Sequence, residues 1–364
     1  MPRWLTQNVG MKIFSNLVQE QMIQTIELGL DTFGDVTDGP DGKPLHAAQV
    51  IRNLVEEAVL ADEIGVDFIG VGEHHRADFA ISSPETVLAA IASRTKRIRL
   101  GSAVTVLSSD DPIRVFQRFS TLDALSNGRA EVMLGRGSFI ESFPLFGFDL
   151  NQYEELFNEK LDLFAALLTQ QPVTWRGTMR PPLKNQSVYP KTEAGRLTTW
   201  IGVGGTPQSV MRAAHYGMPM MLAIIGGDPR RFAPFADLYR RALKEMGKPE
   251  LPLGVHSHGF VGETDAQAEE DLFVDYKRMR DKIGKERGWP ALTRADFEDE
   301  IAYGSLYVGS PETVARKIAA TVQALGVRRF DLKYSAGPLS HEKMMRCIEL
   351  YGRKVIPLVR EMLT

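Results

Sequence analysis

Short apolar, β-rich runs alternate with long amphipathic stretches along this chain, and that alternation limits the fold more than any other feature. Ile26 to Thr32 is followed by a helical pattern from about Ala47 to Ile64. Asp67 to Gly72 precedes a second pattern, about Pro84 to Arg94, opening on SSPE: a cap residue, then proline and an acid in the first turn. Ile98 to Leu107 leads to a helix that starts at Asp110 to Pro112 and stops at Asn127-Gly128. Ala130 to Leu134 and a helix from Tyr153 to Thr169 complete the first half. Gln171 to Leu197 is proline-bearing with little periodicity, which predicts a long loop. The plan then repeats: strand Thr199 to Val203, helix Pro207 to Tyr216, strand Met220 to Ile225, helix Pro229 to Met246 and strand Pro252 to Val261. A charged helix from Asp265 to Arg287, an unassigned stretch from Gly288 to Tyr307, helix Pro311 to Leu325, strand Arg329 to Tyr334 and helix Glu342 to Met362 follow.

Eight such strands with no shift in composition predict a single (β/α)8 TIM barrel with insertions over residues 22–364; an open doubly wound sheet is the alternative. Met22 opens the segment MIQTIELGL, which reads as the start of the first strand, and residues 1–21 read as an N-terminal extension. The barrel is preferred because its reactive groups gather at the carboxyl ends of strands, where every polar motif of this chain falls.

Charge and cysteine usage exclude several classes. The formal net charge is −3 and basic residues form no long run, so nothing marks a nucleic-acid or anionic-membrane partner. Cys347 is the single cysteine, which leaves no disulfide framework and no thiolate metal cluster. No window approaches the ~18 uninterrupted apolar residues of a membrane span, and the N-terminus lacks a secretory pattern, so a cytoplasmic protein is expected.

Three motifs sit at predicted strand ends and a fourth lies within the seventh strand. GEHH (Gly72 to His75) places a carboxylate beside two imidazoles, suited to proton transfer or to a polar brace in which Glu73 pairs with Arg76 or another base. LGRGSF (Leu134 to Phe139) offers glycines for close backbone approach and Arg136 as an anion clamp, without the dinucleotide spacing. IGVGGTPQS (Ile201 to Ser209) runs into a helix, so its free N–H groups and the hydroxyls of Thr206 and Ser209 suit a phosphate; capping by Thr206 with Pro207 at the first helical position accounts for it equally. HSH puts His256 and His258 on one strand face, where with His74 they could bind a metal, although no further ligand motif supports a metal hydrolase.

In this order the motifs EHH, Gly101 to Ala130, Gly135 to Gly147 and Gly204 to Met220 resemble the bacterial luciferase-like family of flavin-dependent monooxygenases, from about Ile23 onward. The resemblance implies reduced FMN as co-substrate, supplied by a separate flavin reductase, and O2 acting on a small organic substrate. By position it implies His74 in proton transfer, Arg136 at the flavin phosphate, and Gly204, Gly205, Thr206 and Ser209 around that phosphate. It places Gly135 where luciferases carry a reactive cysteine, which argues against light emission, and Gly205 where they carry an acid. Ala103-Val104 falls where the family often has a non-prolyl cis peptide beneath the flavin. Glu263 to Tyr307 corresponds to a mobile lid. A homodimer is implied through the early helices, where Ala89, Ala90, Ala92 and Ser93 permit close packing, and Phe79, Phe139, Phe143 and Phe146 would form an apolar pocket wall. No metal is expected. Alternatives within the fold are a deazaflavin-dependent hydride transferase and a flavin-binding protein without catalysis.

Overall fold

The computed structural model describes residues 26–364; the expected extension 1–21 and the strand start at Met22 lie outside the described residues. Eight strands close a barrel: β1 (Glu27–Thr32), β2 (Phe68–Val71), β3 (Arg99–Ser102), β4 (Ala130–Gly135), β5 (Thr198–Val203), β6 (Met220–Ala223), β7 (Leu253–Val261) and β8 (Arg329–Lys333). Every neighbouring pair is parallel, and β8 returns to pair with β1 from Glu27↔Arg329 to Asp31↔Lys333. The fold is therefore a (β/α)8 barrel, as the alternation predicts.

Alternation of side chains along each strand divides the molecule into an outer apolar layer and an inner one of mixed chemistry. Leu28, Leu30, Ile69, Val71, Val132, Leu134, Ile201, Val203, Phe330 and Leu332 are buried in the main core with helix residues such as Leu54, Ala58, Leu88, Val115 and Val314. The barrel interior instead holds a separate cluster of Met133, Trp200 and Met221. Beneath it lies an ionic layer. Fully buried Arg329 donates to both oxygens of Glu131 at 2.9 and 3.1 Å and to Glu27 at 2.9 Å, while its guanidinium lies 4.4 Å from the Phe68 and Trp200 rings. Trp200 Nε1 and Arg99 also bind Glu131. Burial opposes the charge of Glu131, but Arg329 and Arg99 hold its carboxyl below the ordinary range. Charges at this depth persist because each is paired.

Three segments depart from the sequence reading. The predicted loop Gln171 to Leu197 carries an antiparallel hairpin, Val173–Trp175 with Leu183–Gln186, anchored by Trp175 Nε1 on Asp162 at 2.8 Å. Strands this short, one of them without alternating burial, leave little pattern to read. The unassigned stretch contains helix Arg294–Ala302, closed by a capping box of Thr293 and Asp296, and a strand Tyr307–Gly309 that pairs with the far end of β7. The last predicted helix is two, His341–Leu350 and Ile356–Leu363, joined by a π-helical turn at Tyr351–Val355 that packs Gly352 onto Ile64. Among the described residues no helix is long and apolar enough to cross a membrane.

Candidate active site

The carboxyl ends of the strands open into a cavity of about 340 Å³. Its floor is Met133, Met221 and Val104, its sides come from the loops after β1, β2 and β4, and its roof is helix Asp265–Arg287 through Tyr276, Met279, Arg280, Ile283 and Arg287. Of the residues singled out in the sequence, His74, Ala103, Val104, Gly135, Arg136 and Gly204 line this cavity.

The predicted third strand is broken after Ser102 and resumes at Thr105–Val106, and the peptide bond between them at Ala103-Val104 is cis. Val104 packs against the Met133, Trp200 and Met221 cluster. Glycines make room for it: a Cβ on Gly135 would stand 2.5 Å from Val104 Cγ2, and one on Gly202 would stand 3.2 Å from Cγ1. No such atom crowds Gly204, so backbone lies open to the cavity there.

GEHH separates into two environments. Glu73, buried, accepts from Val106 N at 3.1 Å and pairs with His75 Nε2 at 2.9 Å, so these two brace the backbone that follows the cis bond. His74 turns into the cavity, enclosed by Phe33, Phe79 and Phe139 at centroid distances of 4.8, 4.5 and 4.9 Å. Its Nε2 is shielded from solvent and has no protein partner among the described residues. Burial drives the imidazole down to about 3, with Lys333 and Arg76 adding to the effect against Asp35. At neutral pH His74 is uncharged. Arg76 does not pair with Glu73. It reaches the roof helix at Glu286 (2.5 and 2.8 Å) and the loop after β4 at Glu141 (2.5 Å), tying roof to rim.

The residues expected around a phosphate gather at one corner. Arg136 donates to Ser209 Oγ at 3.4 Å, Ser209 accepts from Thr206 Oγ1 at 2.9 Å, and Thr206 caps helix Pro207–Tyr216. Gly205, Thr206 and Ser209 thus sit at the rim beside Arg136 rather than on the cavity wall. One turn on, Arg212 joins them, and Arg136 and Arg212 share one half-exposed carboxylate, Glu154. Burial and the adjacent Arg136 both disfavour the charge on Arg212. Two guanidiniums, two hydroxyls and a helix N-terminus constitute a donor set for a phosphate.

The opposite end of the cavity is polar in a way the motifs did not announce. Asp31 from β1 holds His256 Nδ1 at 2.7 Å. Lys333 from β8 binds Asp35 at 3.0 Å and Ser335 O at 2.6 Å, and Ser335 and Gly337 N add bonds to Asp35. Burial opposes ionisation of Asp35, yet Lys333 and these donors keep it below the ordinary range. His258, 6.0 Å from His256, is kept neutral by burial, with Lys333 and His256 contributing. His256 and His258 do share a face, but Asp31 occupies one of them, and no group of three or more His, Cys, Asp or Glu side chains among the described residues is arranged around a metal. Of the phenylalanines expected in the wall, Phe79 and Phe139 line it. Phe143 is fully buried against Tyr153 instead, and Phe146 lies half exposed over His75, because the short helix Ser142–Phe146 turns both away from the mouth.

These features suit a phosphate-bearing planar cofactor: an open glycine floor at Gly204, an unpartnered imidazole nitrogen at His74, and a cationic corner at Arg136 and Arg212. Comparison with known proteins identifies the fold and the family. A family model for luciferase-like monooxygenases matches residues 32–329. The 4-hydroxyprotoasukamycin monooxygenase of Streptomyces nodosus subsp. asukaensis is 29% identical over 324 residues, spanning 83% of this chain and 85% of that protein. The oxygenating constituent of 3,6-diketocamphane monooxygenase from Pseudomonas putida, solved with FMN, superposes with a TM-score of 0.73 at 20% identity over 92% of this chain and 98% of its own. An F420-dependent secondary alcohol dehydrogenase, solved with an F420-acetone adduct, gives 0.72 at 17% identity over 92% and 99%. With its match over residues 32–329, the chain belongs to the luciferase-like monooxygenase family.

Proposed function

We propose that the protein takes reduced FMN from a separate reductase and uses it with O2 to oxidise a small organic substrate. The observation that carries this reading is the cationic corner, where Arg136 and Arg212 converge on a single half-exposed carboxylate beside the Ser209 and Thr206 hydroxyls. When bound, reduced flavin supplies the electron pair that activates O2. The chain's own residues position and enclose it. Arg136, Ser209 and the N-terminus of helix Pro207–Tyr216 hold the phosphate, and Gly135, Val104 and Gly204 form the surface beneath the ring. His74 offers an uncharged hydrogen-bonding nitrogen for proton transfer at the edge of the site. The roof helix, tied down by Arg76, excludes water from the reacting atoms.

A deazaflavin in the same cleft is the second reading, supported by the fold shared with an F420-dependent dehydrogenase. Incubation with a flavin reductase, NADH, FMN and labelled O2 against a panel of phenols and ketones separates the two. Label appearing in a product supports the monooxygenase; product formed only with reduced or oxidised F420 and without label refutes it.

Pairing of two copies is proposed through helices Pro84–Arg94 and Pro112–Leu125, where Ala89, Leu122 and an exposed Leu125 line a groove with exposed Tyr189. Light scattering that returns a single-chain mass would exclude it.

A further inference from the structure

Two of the three imidazoles that line the cavity, His74 and His256, stand in opposite settings. His74 is enclosed by aromatic rings and its protonated form is disfavoured. His256 has its Nδ1 fixed on a carboxylate at 2.7 Å. A carboxylate only accepts hydrogen bonds, so Nδ1 carries the proton and the basic nitrogen, Nε2, remains free. Among the described residues Nε2 has no protein partner, and both His256 and Asp31 line the cavity.

The surroundings sharpen the contrast. In register with His256 on β8 is Asp331, whose two oxygens have no hydrogen-bond partner. Burial, with the charge of Asp31 adding and Arg329 opposing, raises Asp331 well above the ordinary carboxylate range. Asp31, unlike Asp331, has a direct partner in the imidazole at 2.7 Å. Of the other groups facing His256, Lys333 is engaged by Asp35 and Ser335, His258 on the same strand is neutral, Ala223 on β6 is apolar, and Phe33 stacks at 6.0 Å and 26°. Asp31 is thus the acidic group in direct contact with His256.

Resting on the reading above, we propose that Asp31 and His256 form the general base of this enzyme, and that its substrate is a phenol or enol. The acidic O–H proton of the substrate moves to His256 Nε2, the O–H bond pair stays on oxygen, and the imidazolium so formed is stabilised by Asp31, which does not itself take the proton. No electrons are exchanged in this step. The resulting oxyanion is the electron-rich form that an oxygen donor attacks. An aromatic substrate matches the walls, where Phe33, Phe79, Phe139, Tyr276 and Trp289 surround the space above the dyad. His256 is the catalytic residue and Asp31 a positioning residue acting through it.

The test uses 4-nitrophenol, whose ionised form absorbs visibly, bound to the full chain with reduced FMN under anaerobic conditions near pH 6. The wild type should bind it as the phenolate. His256→Gln and Asp31→Asn, each verified as folded by thermal melting, should lower the phenolate-to-phenol ratio roughly tenfold or more, the effect of removing a close opposite charge. A wild type that binds only the neutral phenol, or neither form, overturns the proposal, as does an undiminished ratio in His256→Gln. The flavin signal is read separately: loss of reduced-FMN binding by the wild type would defeat the flavin reading, whereas normal flavin binding with a neutral phenol defeats the dyad alone.

Discussion

Glu154 and Arg136 should act on cofactor affinity with opposite signs. Glu154 is shared by Arg136 and Arg212, and its side chain is half exposed at 52%. A phosphate arriving at this corner competes with that carboxylate for the same guanidiniums. An exposed ion pair contributes about 0.2–1 kcal/mol, so relieving the competition in Glu154→Gln should strengthen FMN binding by about 1.4- to fivefold. A charge-assisted hydrogen bond to phosphate is worth about 1.5–3 kcal/mol, so Arg136→Ala should weaken it by about 10- to 150-fold. Riboflavin has the same ring without the phosphate and isolates the effect. Titration of each variant with both ligands, followed by flavin fluorescence, should show both changes for FMN and neither for riboflavin. Weaker FMN binding in Glu154→Gln, or equal changes for riboflavin, would refute a phosphate at this corner.

Other perturbations probe the frame around the site. Arg329→Met would leave Glu131 buried without its main partner and should destabilise the fold by about 3–5 kcal/mol, seen as an early thermal transition. Gly135→Ala would drive a methyl into Val104 Cγ2 and should cost about 1–3 kcal/mol while displacing the surface proposed to lie beneath the flavin, so on that proposal reduced-FMN affinity should fall with stability. His74 and His258 are held neutral in the fold while the unfolded chain takes up protons below about 6.5. Their contribution is therefore fully present above that pH and is lost as pH falls toward about 3, the folded value of His74. His74→Phe should flatten the stability curve in that window; an unchanged acid limb in denaturant titrations would contradict the neutral assignment.

The barrel was legible because a closed parallel sheet requires buried outer faces, and runs such as Phe68 to Val71 and Ala130 to Leu134 bury on the helix side what their composition announces. His74, Arg136 and the Thr206–Ser209 cap were legible because glycine and proline punctuate the strand ends that carry them. The Asp31–His256 dyad was only half visible. HSH stood out as a motif, but its partner is a lone aspartate 225 residues away on β1, and one sequence has no record of which strands close the ring. Asp31, Asp35 and Lys333 could have been flagged by a simpler signal, a charge at the carboxyl end of an apolar strand, since inside a barrel such a group must be paired or reactive. The roof residues Tyr276, Arg280 and Trp289 gave no such signal, because helix Asp265–Arg287 is charged on most of its faces and its cavity side depends on how it docks. Glu154 was invisible for the same reason: on a helix surface its sequence context is ordinary, and its role arises from contact with Arg136 and Arg212.

The most direct test of the central claim is an anaerobic titration of the purified protein with oxidised FMN, reduced FMN and reduced F420 in parallel, followed by admission of air to each complex. Reduced FMN bound more tightly than the other two, with oxygen consumed by the complex, is the predicted result. Preferential binding of F420 with no oxygen consumption, or no binding of either flavin form, would contradict it.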